Sequence, residues 1–157
     1  MTAAYLLRHA KAKSRLTWKE PDHLRPLTKA GFRQAKALLA LYEGQRFTRI
    51  VSSPYVRCVQ TLEPLAEAQG IPLETADAFA EGAPMGVALE LMLSVSADGP
   101  AVFCTHADVM VDTVEELLAA GVQLDGPLEF KKAATWILEI SDRTFTGARY
   151  LPPPARA

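Results

Sequence analysis

The sequence predicts an α/β fold, a three-layer α/β/α sandwich on a mostly parallel central sheet. Three observations lead there. Short apolar runs at residues 4–7, 50–51 and 101–104 alternate with segments of helical apolar spacing, the pattern of strands joined by crossover helices. The 157 residues, 49% of them apolar, suffice for one domain with a substantial core and argue against a disordered chain. The apolar runs lead into Arg8-His9, Ser52-Ser53 and Thr105-His106, and open α/β sheets bind ligands beyond the carboxyl ends of their strands. One domain over residues 1–151 is expected, with a Pro-rich tail over 152–157 that leaves the fold as an extended end.

Residues 4–7 supply the first strand. Residues 16–26 are polar, contain Pro21 and Pro26, and read as a long loop. Residues 28–42 set Phe32, Ala35, Leu38, Leu39 and Tyr42 at helical spacing, with Thr28 as cap and Gly44 as stop. Ile50-Val51 then runs into Ser52-Ser53-Pro54, read as a strand end, an N-cap and a proline at the first helical position. The next helix carries Val56, Val59 and Leu62, and Pro64 is expected to kink or end it. Residues 70–73 turn into a short extended piece, and 87–95 form an amphipathic helix. Residues 101–104 read as a buried strand and 109–120 as a helix stopped by Gly121. Residues 135–140 and 145–151, split by Ser141-Asp142, read as a terminal hairpin.

The net charge of −1 hides three blocks. Residues 1–57 hold twelve Lys/Arg against three Asp/Glu; residues 58–130 hold thirteen acids and no Lys or Arg; the last 27 residues hold five bases and two acids. The basic third is either a solvated face opposite an acidic one or the wall of an anion site. No apolar run approaches the ~20 residues of a membrane span, and the apolar start is too short for a signal peptide. Cys58 and Cys104 make neither a disulfide framework nor a four-ligand zinc site. The expectation is a soluble cytoplasmic protein without metal or cofactor, with no nucleic-acid or membrane partner. Oligomeric state is not legible.

Histidine is a nucleophile and proton carrier near neutral pH, and arginine offers a planar fork of donors that fits phosphate oxygens. Arg8 beside His9, with Arg57 in the following helix, would surround one histidine with phosphate donors. That is the equipment for phosphoryl transfer through a phosphohistidine, which needs charge neutralised more than bonds rearranged. Each residue also has a plainer reading. A strand-end histidine can be structural, Arg57 can be solvated, His23 sits in a polar loop, and Lys131-Lys132 are a solvated pair or an anion rim.

Four stretches resemble the histidine phosphatase superfamily, the family of phosphoglycerate mutases and acid phosphatases. They are Leu7-Arg8-His9-Ala10, Arg25-Pro26-Leu27-Thr28-Lys29-Ala30-Gly31, Ser52-Ser53-Pro54-Tyr55-Val56-Arg57-Cys58-Val59-Gln60-Thr61, and Thr105-His106. The compact length and the Arg-Pro-Leu-Thr stretch are similar to its small SixA-like branch, over about residues 4–140. The resemblance implies a phosphoglycerate mutase-like fold, His9 as phosphate-accepting nucleophile, Arg8 and Arg57 as phosphoryl clamp, and His106 as second pocket histidine. It implies Arg25 as a pocket base and Glu81 as a loosely matching general acid, with Ser53 and Thr105 adding hydroxyl or backbone donors. Ala10 replaces a commoner glycine, and Ala107-Asp108 departs from the branch; Asp108 either raises the His106 pKa or caps the next helix, and the cap is preferred. The stretch from Lys132 to Trp136 is similar to the histidine phosphatase domain that follows a Nudix domain in some nucleotide hydrolases.

The reading is a metal-independent phosphatase acting on a phosphomonoester or phosphoamide, its partner a phosphorylated small molecule or a phosphohistidine protein. A rival is a non-catalytic phosphate- or phosphoprotein-binding module of the same fold. A metal hydrolase using His9, His23 and His106 is disfavoured, because no His-x-x-x-His spacing exists.

Overall fold

The computed structural model describes residues 1–155. Its elements are β1 (Thr2–Arg8), α1 (Lys29–Leu41), β2 (Arg49–Ser52), α2 (Val56–Gln69), β3 (Leu73–Thr75) and α3 (Met85–Val95). They continue with β4 (Ala101–Thr105), α4 (Ala107–Ala119), β5 (Gln123–Asp125), β6 (Thr135–Ser141) and β7 (Thr144–Leu151). The strands make one seven-stranded sheet in the order β3-β2-β4-β1-β6-β7-β5. Pairing is parallel for β3-β2, β2-β4, β4-β1 and β7-β5, and antiparallel for β1-β6 and β6-β7. The expected mostly parallel sheet is therefore present.

Period-two alternation in the central strands makes the three layers. Ala4, Leu6, Ala101 and Phe103 point into one core with Ala88, Met92 and Val95 of α3 and Val109, Met110, Val114 and Leu117 of α4. Leu7, Val102 and Cys104 point the other way, into a core with Leu38 of α1 and Cys58, Leu62, Leu65 and Ala66 of α2. Both faces of β4 are thus buried, which is why residues 101–104 read as an uninterrupted apolar run.

The α1 boundaries follow the sequence: the Thr28 hydroxyl accepts the Gly31 N–H at 3.0 Å, and Gly44 turns with φ 84°. Phe32, expected on the buried stripe, is exposed; Gly31, Ala35 and Leu38 hold the buried face instead. At α2 the expected start is wrong. Pro54 is not the first helical residue, because the Ser53 hydroxyl accepts the Tyr55 N–H at 3.2 Å and turns the chain locally before the helix opens at Val56. Pro64 does not end α2, which runs on to Gly70 in the left-handed region (φ 68°). Helices α3 and α4 each begin two residues earlier than expected. The polar segment 16–26 is a loop carrying a short 3-10 turn at Asp22–Leu24. Strand β5 is not legible in the sequence: it is three residues on the sheet edge, none of them buried. The terminal hairpin is present, but its turn is formed by Asp142 and Arg143, both at positive φ, one residue later than the expected Ser141-Asp142, because Ser141 stays paired in β6. Residues 152–155 are irregular, and Arg156 and Ala157 of the tail lie outside the described residues.

Parallel register brings the carboxyl ends of three strands to one edge. Arg8 of β1 is opposite Thr105 of β4, and Ser52 of β2 is opposite Cys104. The residues just past these ends meet there.

Candidate active site

The segment leaving β1 is anchored on both sides. The His9 N–H donates to the Thr105 carbonyl (3.1 Å). The Ala10 N–H donates to the Thr61 hydroxyl (3.0 Å), which itself donates to the Arg57 carbonyl (2.7 Å). Helix α1 begins hard against the next residue: the Thr28 N–H donates to the Lys11 carbonyl at 3.0 Å, and a Cβ on Gly31 would lie 2.0 Å from that oxygen. Only a bare Cα fits, which gives the glycine of the Arg-Pro-Leu-Thr-Lys-Ala-Gly stretch a steric reason.

His9 is buried, and its Nδ1 lies 2.8 Å from the Ala10 carbonyl. A carbonyl only accepts, so the proton sits on Nδ1 and the Nε2 lone pair is free. Burial pushes the imidazole pKa down to about 3; the Ala10 carbonyl opposes this, and His106, Arg57 and Arg8 add to it. The ring is neutral, and therefore nucleophilic, throughout the ordinary pH range.

His106 stacks edge-on to His9 with ring centroids 5.4 Å apart and to Tyr55 at 4.7 Å. Its Nε2 faces the Ser53 hydroxyl at 2.9 Å and the Cys58 thiol at 3.5 Å. The Ser53 oxygen already accepts from the Tyr55 N–H, so its own proton is free to point at Nε2. That arrangement leaves the proton of a neutral ring on Nδ1, which is buried and has no partner.

Arg57 is fully buried, with its guanidinium carbon 4.9 Å from the Tyr55 ring centroid. Its Nη1 donates to the Asp22 carbonyl (2.9 Å), and its Nη2 donates to Asp22 Oδ2 (3.0 Å) and lies 3.5 Å from Glu81 Oε1. The other Asp22 oxygen accepts from Arg25 Nε (2.9 Å), and these arginines hold the carboxyl below its usual range although burial works the other way. Arg8 donates from Nη1 to the Phe130 carbonyl (2.7 Å), and burial lowers its pKa. Nε of Arg8 and Nε of Arg57 are buried without partners.

A cavity of about 940 Å³ opens over this edge, with Arg8, His9, Arg25 and Glu81 among its lining. His106, Arg57, Ser53 and Thr105 are buried and are not part of that lining. Two expected roles change. The Thr105 hydroxyl donates to the Phe79 carbonyl (2.7 Å) and its carbonyl takes the His9 N–H, so it braces the strand end rather than offering a hydroxyl to substrate. Ser53 is engaged by His106 and Tyr55, so it orients the histidine. Asp108 does not cap α4, which begins one residue before it; its carboxylate accepts the Gly82 N–H at 2.7 Å and ties down the loop carrying Glu81. His23 is exposed, as expected. Lys132 lines the cavity while Lys131 pairs with Glu129 at 3.4 Å, so the two lysines divide between the two readings. Sequence reasoning missed Asp22, Thr61 and Tyr55. Each left a signal: Asp22 as the acid three residues before Arg25 in a basic segment, and Tyr55 and Thr61 as members of the 52–61 stretch, to which no role was attached. Among the described residues no group of three or more His, Cys, Asp or Glu is arranged to hold a metal ion, and no helix is long and apolar enough to cross a membrane.

The sequence profile of the Histidine phosphatase superfamily (branch 1) matches residues 4–88. A protein of Mycolicibacterium smegmatis named 8-oxo-(d)GTP phosphatase is 34% identical over 155 residues, covering 95% of this chain and 48% of its own. The chain thus spans about half the length of that curated relative. A solved chain from Agrobacterium tumefaciens carrying the SixA name is 30% identical with a TM-score of 0.74, covering 99% of each chain. The protein histidine phosphatase SixA in complex with tungstate superposes with a TM-score of 0.77 at 18% identity, over 99% of this chain and 97% of that one, which shows the shared fold. The chain belongs to the histidine phosphatase superfamily, branch 1, within its SixA-like part.

Proposed function

We propose that the protein is a metal-independent phosphatase that works through a phosphohistidine on His9, within one domain over residues 1–151. The observation that carries this reading is the set of buried donors without partners beside a neutral histidine: Arg8 Nε, Arg57 Nε and His106 Nδ1. Buried donors left unpaired are costly, and an arriving phosphoryl group would satisfy all three. In the first step the His9 Nε2 lone pair attacks phosphorus, and the bond to the leaving atom breaks with its electron pair staying on that atom. Arg8, Arg57 and His106 hold the phosphoryl oxygens as charge builds on them. Glu81 is the acid at hand for a leaving group that needs a proton, and Arg25 lines the approach. Water then attacks the phosphohistidine, its proton passing to Glu81, and orthophosphate departs.

The substrate class is a phosphomonoester or a phosphoamide such as protein phosphohistidine, and the two unpaired buried thiols suit a reducing, cytoplasmic setting. The test is intact mass after rapid alkaline quench, with a small phosphodonor and excess chelator. A single phosphate adduct is expected on the wild type and none on His9→Ala, with turnover abolished in the variant. An equal adduct on both proteins moves the nucleophile elsewhere. Vanadate binding with no adduct and no turnover turns the site into a binding module.

A further inference from the structure

The cavity carries more positive charge than one phosphoryl group uses. Six cationic side chains line it, Arg8, Lys11, Lys13, Arg15, Arg25 and Lys132, against two carboxylates, Glu81 and Asp108. Both carboxylates are engaged: Glu81 by Arg15 and Arg57, Asp108 by the Gly82 N–H. Arg25 shares Asp22 with Arg57. Among the described residues Lys11, Lys13 and Lys132 pair with no carboxylate. Cations crowded into a concavity without counter-charge repel each other unless an anion joins them.

Lys132 is held there by design of the backbone. Ala133 is fully buried in the left-handed region at φ 64°, a strained conformation that non-glycine residues rarely adopt. It is kept there because its N–H is shared by the Arg8 carbonyl (3.0 Å) and the His9 carbonyl (3.2 Å), while the Ala134 N–H closes back on Lys131 (3.0 Å). The strained turn therefore hangs from the backbone of the nucleophile segment and sets Lys132 at the cavity wall beside it. Burial lowers the Lys132 ammonium pKa, and Arg8, Lys11 and Arg25, which line the same cavity, lower it further. Strain held by the surrounding structure next to a reactive residue is where function is to be sought. At about 940 Å³ the cavity is of the size that accepts a whole small molecule rather than a lone phosphate.

We propose that Lys132, with Lys11 and Arg25, forms a second anion subsite beside His9 that binds the phosphate of the leaving group, so that the preferred substrate is a small molecule with linked phosphates. The proposal rests on the His9 reading for its chemistry. His9 attacks the terminal phosphorus, the bond to the bridging oxygen breaks, and that oxygen keeps the electron pair and leaves as a phosphate anion paired with Lys132. Such a leaving group needs no proton, which suits a Glu81 already ion-paired to two arginines. Water completes the cycle by releasing orthophosphate from His9.

The experiment measures binding of tripolyphosphate and of orthophosphate to His9→Ala, with excess chelator, alone and with Lys132→Ala or Lys11→Ala added. Tripolyphosphate is expected to bind at least tenfold more tightly than orthophosphate, and Lys132→Ala to shrink that ratio below about threefold. Lys11→Ala should shrink it less, and serves if Lys132→Ala fails to fold. Equal affinities for the two anions, or a ratio untouched by both lysine variants, overturn the subsite. So does an acidic phosphopeptide that binds tenfold more tightly than tripolyphosphate, which would make the cations a protein-docking wall. Because these readings come from a variant without the nucleophile, they are separate from the adduct test: a tripolyphosphate preference with no adduct on the wild type leaves the subsite standing and removes the phosphohistidine.

Discussion

Glu81 meets two arginines in different surroundings. Arg15 reaches it at 3.2 Å with a side chain 65% exposed; Arg57 lies 3.5 Å from the same oxygen with a side chain fully buried. They stand for two sides of one site. On the buried side, Asp22 holds Arg57, Ser53 holds His106 and the Tyr55 N–H holds Ser53, and their remaining donors are few and directed. On the open side, Lys11, Lys13 and Arg15 project from the loop after β1 into water. Fixed donors at low dielectric act strongly and need no reorganisation, whereas solvated charges are screened and mobile. The buried side is therefore suited to stabilising a transition state and the open side to choosing what enters. Asp22 joins them, giving one oxygen to Arg25 and the other to Arg57.

The sharpest way to break this comparison is Arg57→Ala. Removing a buried fork leaves Asp22 Oδ2 without its arginine, while Oδ1 keeps Arg25, and opens a cavity, for an expected loss of about 2–4 kcal/mol in unfolding free energy. It also removes a charge-assisted donor, for a loss of roughly 10²–10³ in kcat/KM. Arg57→Lys keeps the charge but not the two-pronged geometry, and should recover stability better than activity. Urea unfolding and steady-state hydrolysis of p-nitrophenyl phosphate read both quantities. A variant as stable and as active as wild type would erase the distinction between the two sides.

Acid titration gives a second, smaller contrast. The folded-state pKa of His9 is depressed to about 3 from an unfolded value of about 6.5. Between those values the unfolded chain binds a proton that the folded one refuses, so stability falls as pH is lowered through this window. The contribution lost between pH 7 and pH 5 is about 2 kcal/mol, from about 1.4 kcal/mol per pH unit once the unfolded histidine is charged. Unfolding at the two pH values should show this loss in the wild type and show it reduced by that amount in His9→Gln. An identical pH dependence in both proteins would mean that His9 accepts a proton while folded.

Much of the architecture was legible because it rests on local chemistry. Thr28 caps α1 because its hydroxyl reaches Gly31, three residues on, and the alternation of residues 101–104 is hidden only because both faces of β4 are buried. The strand-end rule found His9, Ser53 and His106 for the same reason: parallel register brings those ends together wherever such strands pair. What escaped depends on long-range placement. Nothing near Asp22 in the sequence says that its carboxylate will meet an arginine thirty-five residues away. The resemblance gives the Thr105 hydroxyl to substrate and position makes Asp108 a cap, but Phe79 and Gly82, brought in by the fold, claim them first. Pro54 misled because Ser53 bonds to its own neighbour's backbone, a choice two residues wide that propensity does not resolve.

The finest test returns to Glu81 and its exposed partner. Arg15→Ala deletes the 3.2 Å contact with Glu81 and a 3.8 Å approach to Asp22, yet both carboxylates keep Arg57. An exposed pair gains little over its separately hydrated ions, because holding a long side chain still offsets most of the attraction. The expected loss in unfolding free energy is therefore under about 1 kcal/mol at low salt, fading toward zero as salt screens the charge. kcat on p-nitrophenyl phosphate should stay within about twofold, since Arg57 still faces Glu81. Urea unfolding at two salt concentrations decides the matter. A loss above about 2 kcal/mol that salt does not diminish would mean that Arg15 is held as Arg57 is, and that the open side is built rather than merely charged.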